Sequence, residues 1–144
     1  MAITQAMCDS FKVQILAGQQ NLTSGAAPVY KVALYTSSAT LTNATAAYTT
    51  LNEQTSSASN YSAGGNTLTV STSPTSTGNV AFMSFANSSW TNANITAAGA
   101  LIYNSTANTS VAVLSFGGDK TATNGTFTLI FPTADSNNAI IRIA

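Results

Sequence analysis

The groups in this sequence able to take part in chemistry are few: one thiol at Cys8, four carboxylates, four cations and five tyrosines, with no histidine at all. General acid–base catalysis needs groups that titrate usefully, and histidine is the one side chain that does so near neutrality without help. Serine is abundant, but a serine nucleophile needs a base and an oxyanion hole, and neither a Gly-x-Ser-x-Gly elbow nor a Ser-x-x-Lys motif occurs. Cys8 has no histidine partner and falls on the apolar side of its segment, which makes it a buried, inert thiol. Asp119-Lys120 follow Gly117-Gly118, an arrangement with some likeness to a phosphate-binding loop. That loop requires Gly-Lys-Ser/Thr opening a helix, whereas strands flank this one, so a charged hairpin tip is expected. Asp135 with Asn137-Asn138 offers oxygen ligands for calcium, but no alternating Asp spacing accompanies them and a turn before the last strand explains them. Trp90 with Tyr30, Tyr35, Tyr48, Tyr61 and Tyr103 is either a platform for stacking sugars or a set of core and interface anchors. The expectation is therefore a non-enzyme with no catalytic residues, no metal site and no cofactor.

The elements that would position these residues are mostly strands. Helical spacing is confined to the start, where Ile3, Met7, Phe11 and Ile15 recur every fourth residue with Cys8 beside them. That predicts one amphipathic helix from Ile3 to Leu16, with Thr4 as N-cap, Ile3 stapled onto Cys8, and Gly18 as the stop. Its apolar stripe packs either on its own sheet or on a neighbouring subunit. Beyond Gly18 the apolar residues alternate or cluster in short runs rich in Val, Ile, Phe and Thr. Strands are predicted at Val29–Thr36, Ala47–Leu51, Thr67–Ser71, Val80–Phe85, Gly99–Asn104, Val111–Phe116, Thr126–Phe131 and Ala139–Ile143. Turns are predicted at Gly64-Gly65-Asn66, Ser73-Pro74, Gly117-Gly118-Asp119 and Asn124-Gly125. Phe127, Leu129 and Phe131 face one way against Thr126 and Thr128, giving a strand with one wet face. Val111 to Leu114 and Ala139 to Ile141 are apolar on both faces, as are central strands or strands covered on the second side by a helix or another subunit. Thr36 to Ala46 and Thr50 to Gly65 are low in complexity and read as long surface loops or as arms that order only in an assembly. The predicted fold is all-β, a β-sandwich or jelly roll with one N-terminal helix, in a single domain over residues 1–144 (helix in 1–18, sandwich in 19–144).

Composition narrows the function further. Only 6% of the 144 residues are charged and the net charge is zero, so Ser, Thr, Asn and Gln must keep the surface wet. Lys12, Lys31, Lys120 and Arg142 form no basic stripe, which argues against nucleic acid. No apolar run approaches the length that spans a bilayer, and no leader pattern opens the sequence, so no membrane contact is expected and the frequent Asn-x-Ser/Thr triplets read as unmodified. A surface without net charge favours association. Strands such as Val80–Phe85 and Val111–Phe116 carry no charge to guard an edge, and so call for cover by another subunit.

Five segments then carry a resemblance: Met1 to Lys12 (MAITQAMCDSFK), Ala33 to Leu41 (ALYTSSATL), Gly99 to Asn104 (GALIYN), Phe116 to Thr121 (FGGDKT) and Ala139 to Ala144 (AIIRIA). They resemble recurring blocks of a group of small virion structural proteins from tailed phages, including cyanophages. The resemblance covers both ends and the middle of the chain. It implies a head-decoration or cement protein, made in the host cytoplasm and found in the virion. Such a protein binds the major capsid protein of the phage head as a homo-oligomer, for which the resemblance suggests a trimer. A tail or tail-fibre component touching host glycans is the alternative.

Overall fold

The computed structural model, which describes residues 2–56 and 59–144, has the order β1 (Ala6–Met7), α1 (Asp9–Leu16), β2 (Tyr30–Tyr35), β3 (Asn66–Thr67), β4 (Val70–Thr77), β5 (Val80–Phe85), β6 (Ser88–Asn104), β7 (Thr109–Leu129) and β8 (Ile141–Ile143). Two antiparallel sheets result, one in the order β1-β7-β6-β2-β3 and one in the order β4-β5-β8. They share one core in which Tyr30 meets Phe85 at 6.1 Å and Phe85 meets Phe131 at 5.9 Å between ring centroids. The fold is the expected all-β, sandwich-like one with a single short N-terminal helix.

The long β6–β7 hairpin organises it. The ladder runs from Asn104↔Thr109 to Ser88↔Leu129 and is interrupted by bulges. Between Gly99↔Ser115 and Ala97↔Lys120, residues 116–119 stand opposite Ala98 alone. Gly117-Gly118-Asp119, expected at a hairpin tip, is therefore a bulge within β7. Asn124-Gly125, expected as a turn, is likewise inside β7, with Asn124 at φ 46° opposite Asn94 between two register points. Positive φ serves a turn and a bulge equally well, so residue type alone does not separate them. The 88–98 half of β6 was missed for the same reason, since Asn92 takes φ 48° in the middle of it. Ser73-Pro74 is no turn either: the pair lies in edge strand β4 opposite Met83, where the register shifts between Thr72 and Thr75. A bulge on an edge strand tolerates the missing N–H of proline.

The helix is shorter than predicted, Asp9–Leu16 rather than Ile3 to Leu16. Cys8, not Thr4, is the N-cap, and it makes no side-chain capping bond, while Gly18 follows the end at φ 70°. Ile3 and Met7 fit a four-residue spacing, but the backbone before Cys8 finds partners elsewhere: Ile3 bridges Leu41, and Ala6–Met7 pair with Val113 and Ala112. A ladder on a preformed strand satisfies more backbone groups than one further uncapped helical turn. Phe11 is buried, whereas Val13 and Leu16 are 65% and 90% exposed, so only part of the apolar stripe covers the sheet.

Other expectations are corrected by pairing. Ala47–Leu51 forms no strand; Tyr48 N–H donates to the distant Asn108 Oδ1 and Leu51 N–H to the neighbouring Thr49 Oγ1, side-chain acceptors that stand in for a ladder. Ala139 to Ile143 contributes only β8, which is an edge and not a central strand. Val111–Phe116 and Val80–Phe85 are not bare edges: Val113 and Ala112 lie between β6 and β1, and β5 lies between β4 and β8. Thr36 to Ala46 is loop, and so are the described parts of Thr50 to Gly65, with residues 57–58 outside the described residues. Ala39, Leu41, Gln54, Ser59 and Tyr61 are nevertheless buried. These loops close the outer edge of β2, where Gln54 N–H donates to the Leu34 carbonyl and Leu34 N–H to the Tyr61 hydroxyl. Among the described residues no helix is long and apolar enough to cross a membrane.

Candidate functional site

The densest polar cluster is built by the loop that caps β2. Glu53 bridges Tyr35 in β2, which fixes its side chain over the sheet margin. Its Oε1 accepts from the Tyr61 hydroxyl and the Gly64 N–H, both at 2.7 Å, and its Oε2 accepts from the Tyr48 hydroxyl at 2.7 Å. The Tyr103 hydroxyl, from β6, donates to the Gly64 carbonyl at 2.8 Å, and that of Tyr35 to the Thr49 carbonyl at 2.6 Å. Gly65 is held even closer: at φ 75° an added Cβ would lie 1.8 Å from the Val32 carbonyl oxygen.

Electrostatics locks these phenols in the neutral form. Burial raises Tyr103 to about 12, and the Glu53 carboxylate adds to the effect. Tyr35, Tyr48 and Tyr61 are raised further, first by burial and also by the negative charge of Glu53. A neutral phenol donating to a carboxylate is a stable pair, and loss of its proton would set two anions side by side. The arrangement fastens a loop to a sheet, and both carboxylate oxygens are engaged by the protein's own donors.

Each residue singled out in the sequence has a definite place. Cys8 is fully buried and its thiol is raised to about 11, chiefly by burial and secondarily by Asp9. Asp119 and Lys120 sit exposed at the β7 bulge, with no helix following them. Asp135 Oδ1 accepts from the Asn137 and Asn138 N–H groups and from Asn138 Nδ2, a closed Asx turn whose hydrogen bonds lower its carboxyl, those of the Asn138 side chain foremost. Among the described residues no three His, Cys, Asp or Glu side chains cluster to hold a metal ion. Trp90, Tyr30, Tyr35, Tyr61 and Tyr103 are all buried, and Trp90 packs on Tyr61 and Phe127. These five are core anchors, and Tyr48, the sixth, is partly buried and stacks on Tyr103.

What sequence reading missed is Glu53, the one charge between Lys31 and Asp119, and its isolation in a neutral stretch is the signal that could have marked it. It also missed a trough where α1 passes β8. Met7, Ile15, Leu16 and Ile143 form an apolar floor between Lys12 and Arg142. Ile15 and Ile143 continue it toward Leu22, Phe82 and Met83. No family model, no curated protein and no solved structure matches the chain.

Proposed function

We propose that this chain is a non-enzymatic structural protein of a tailed-phage particle, a decoration protein that binds the head shell in several copies and stiffens it. The observation that carries the reading is the division of labour among side chains. The thiol, the phenols and the carboxylates of Glu53 and Asp135 are engaged in holding the fold, whereas exposed apolar side chains gather beside α1 and β8. Such a surface suits contact with other proteins, in which apolar anchors supply the energy and repeated copies multiply it. The segments that carry the resemblance to phage virion proteins support the same reading, because Met7, Lys12, Arg142 and Ile143 border the trough and belong to the first and last of them. A tail or tail-fibre component that touches host glycans through its loops is the second reading, and burial of Trp90 and four tyrosines leaves it without an aromatic platform of those residues.

Mass spectrometry of purified particles followed by reconstruction of the virion tests this. The chain is expected in the particle at a fixed number of copies, seated on the outer face of the head. Its recovery in lysate but never in particles, or turnover of any substrate traced to it, would overturn the proposal.

A further inference from the structure

The charged residues are so few that their partners can be followed one by one. Lys12 pairs with Asp9 at 3.2 Å, Glu53 is saturated by Tyr48, Tyr61 and Gly64, and Asp135 by Asn137 and Asn138. The Asp119 side chain makes no hydrogen bond or ion pair within the described residues, which leaves it as the one unengaged side-chain carboxylate. Arg142, the only arginine, makes one long bond of 3.5 Å to the Ser136 carbonyl, and its charge helps to lower the Asp135 carboxyl without an ion pair between them, so most of its guanidinium donors are unused. Arg142 stands at the rim of the apolar trough formed by Met7, Ile15, Leu16 and Ile143.

The free carboxylate is presented by a projecting element. Residues 116–119 bulge out of the β7 ladder, and an added Cβ at Gly117 or Gly118 would meet nothing within 4 Å. Phe116 at its base is partly buried and packs on Phe127, with ring centroids 6.2 Å apart. Phe116 and Lys120 line a different groove, over Phe127 and Leu129, and Asp119 does not. The molecule thus carries a protruding carboxylate on a two-glycine bulge, and separately an apolar trough beside a guanidinium most of whose donors are unused.

We propose that these two surfaces are complementary and that the occupant of the trough is the Phe116–Asp119 bulge of a second copy of this chain. Asp119 of one copy accepts the forked bond from Arg142 of the next, while Leu16 and Ile143 are covered by the bulge. A carboxylate is the natural mate of a planar guanidinium, and a partly desolvated pair of this kind fixes register as well as adding affinity. Because the bulge and the trough are different patches, repetition of the contact closes a ring when its rotation allows. The inference rests on the multi-copy part of the function proposed above and is independent of whether the partner surface is a phage head.

Charge reversal tests it on the isolated full chain. Size exclusion with light scattering, across micromolar concentrations, is expected to show an oligomer. Arg142→Asp and Asp119→Arg should each weaken association on the order of tenfold or more, and the double variant should restore it to within about threefold. Both side chains are exposed, and circular dichroism of each variant checks that the fold is kept. A single-chain mass for the wild type overturns the inference while leaving shell binding to the particle experiment. An oligomer indifferent to either reversal, or single reversals that the double variant does not rescue, overturns this interface while leaving self-association in place.

Discussion

Tyr48 lies face to face on Tyr103, with ring centroids 4.7 Å apart and planes 13° from parallel, and their hydroxyls diverge to clamp one short turn. Tyr48 donates to Glu53, which binds the Gly64 N–H, and Tyr103 donates to the Gly64 carbonyl. A loop of low sequence complexity is thereby fixed at both the N–H and the carbonyl of one residue, Gly64. The entropy of ordering it is offset by hydrogen bonds and ring stacking and not by a long apolar run.

Removal of the hub should be felt throughout this loop. Glu53→Gln keeps the shape but turns an amide N–H toward hydroxyl donors, and it is expected to destabilise the protein by about 1–3 kcal/mol, with Glu53→Ala at or beyond the upper end. Urea unfolding measures it as a lower midpoint at unchanged slope. A change in the Gln variant below about 0.5 kcal/mol would mean that water replaces these bonds freely.

Alkaline pH should unfold the protein cooperatively. All five tyrosines and Cys8 are raised from ordinary values of 10.0 and 9.0, each chiefly by burial, with Cys8 near 11 and Tyr103 near 12. The native state therefore holds its protons longer than the unfolded chain does. The stability this contributes is full below about pH 9 and falls as pH rises through the folded values. Phenolate absorbance is expected to rise together with loss of circular dichroism; phenolate appearing well before unfolding would contradict the burial of these rings.

Two glycines with similar backbone angles should behave very differently. Gly18 at φ 70° has open space around an added Cβ, so Gly18→Ala should cost about 1 kcal/mol from conformation alone. Gly65 at φ 75° would put the same carbon against the Val32 carbonyl, and Gly65→Ala should lose 3 kcal/mol or more, on the order of the largest single-residue effects. Equal midpoints for the two variants would show that the turn yields without strain.

Cys8→Ser should be mild. Cys8 is buried and caps α1 without a side-chain bond, so a hydroxyl there loses burial energy but gains an acceptor for the helix N–H groups. The net loss is expected below about 1 kcal/mol by thermal unfolding, with oligomeric mass unchanged. Loss of association in a folded Ser variant would reveal a role for the thiol between subunits.

The sequence by itself determined the class of this fold and the burial of its best strands. Alternation at Phe127, Leu129 and Phe131 and the doubly apolar run Val111 to Leu114 are local patterns, and the structure buries those residues as the patterns require. Composition likewise told that little on this chain titrates near neutrality. Tertiary structure decided what depends on distant partners. Gly117-Gly118 and Asn124-Gly125 became bulges because β6 runs on past them, and Ile3 to Met7 left the helix because β7 and Leu41 offered backbone bonds. Glu53 found three donors spread from Tyr48 to Gly64, and Arg142 found none to match its fork. Side-chain period is written in neighbouring residues, whereas the fate of a backbone group or a lone charge is set by whichever segment folding brings against it.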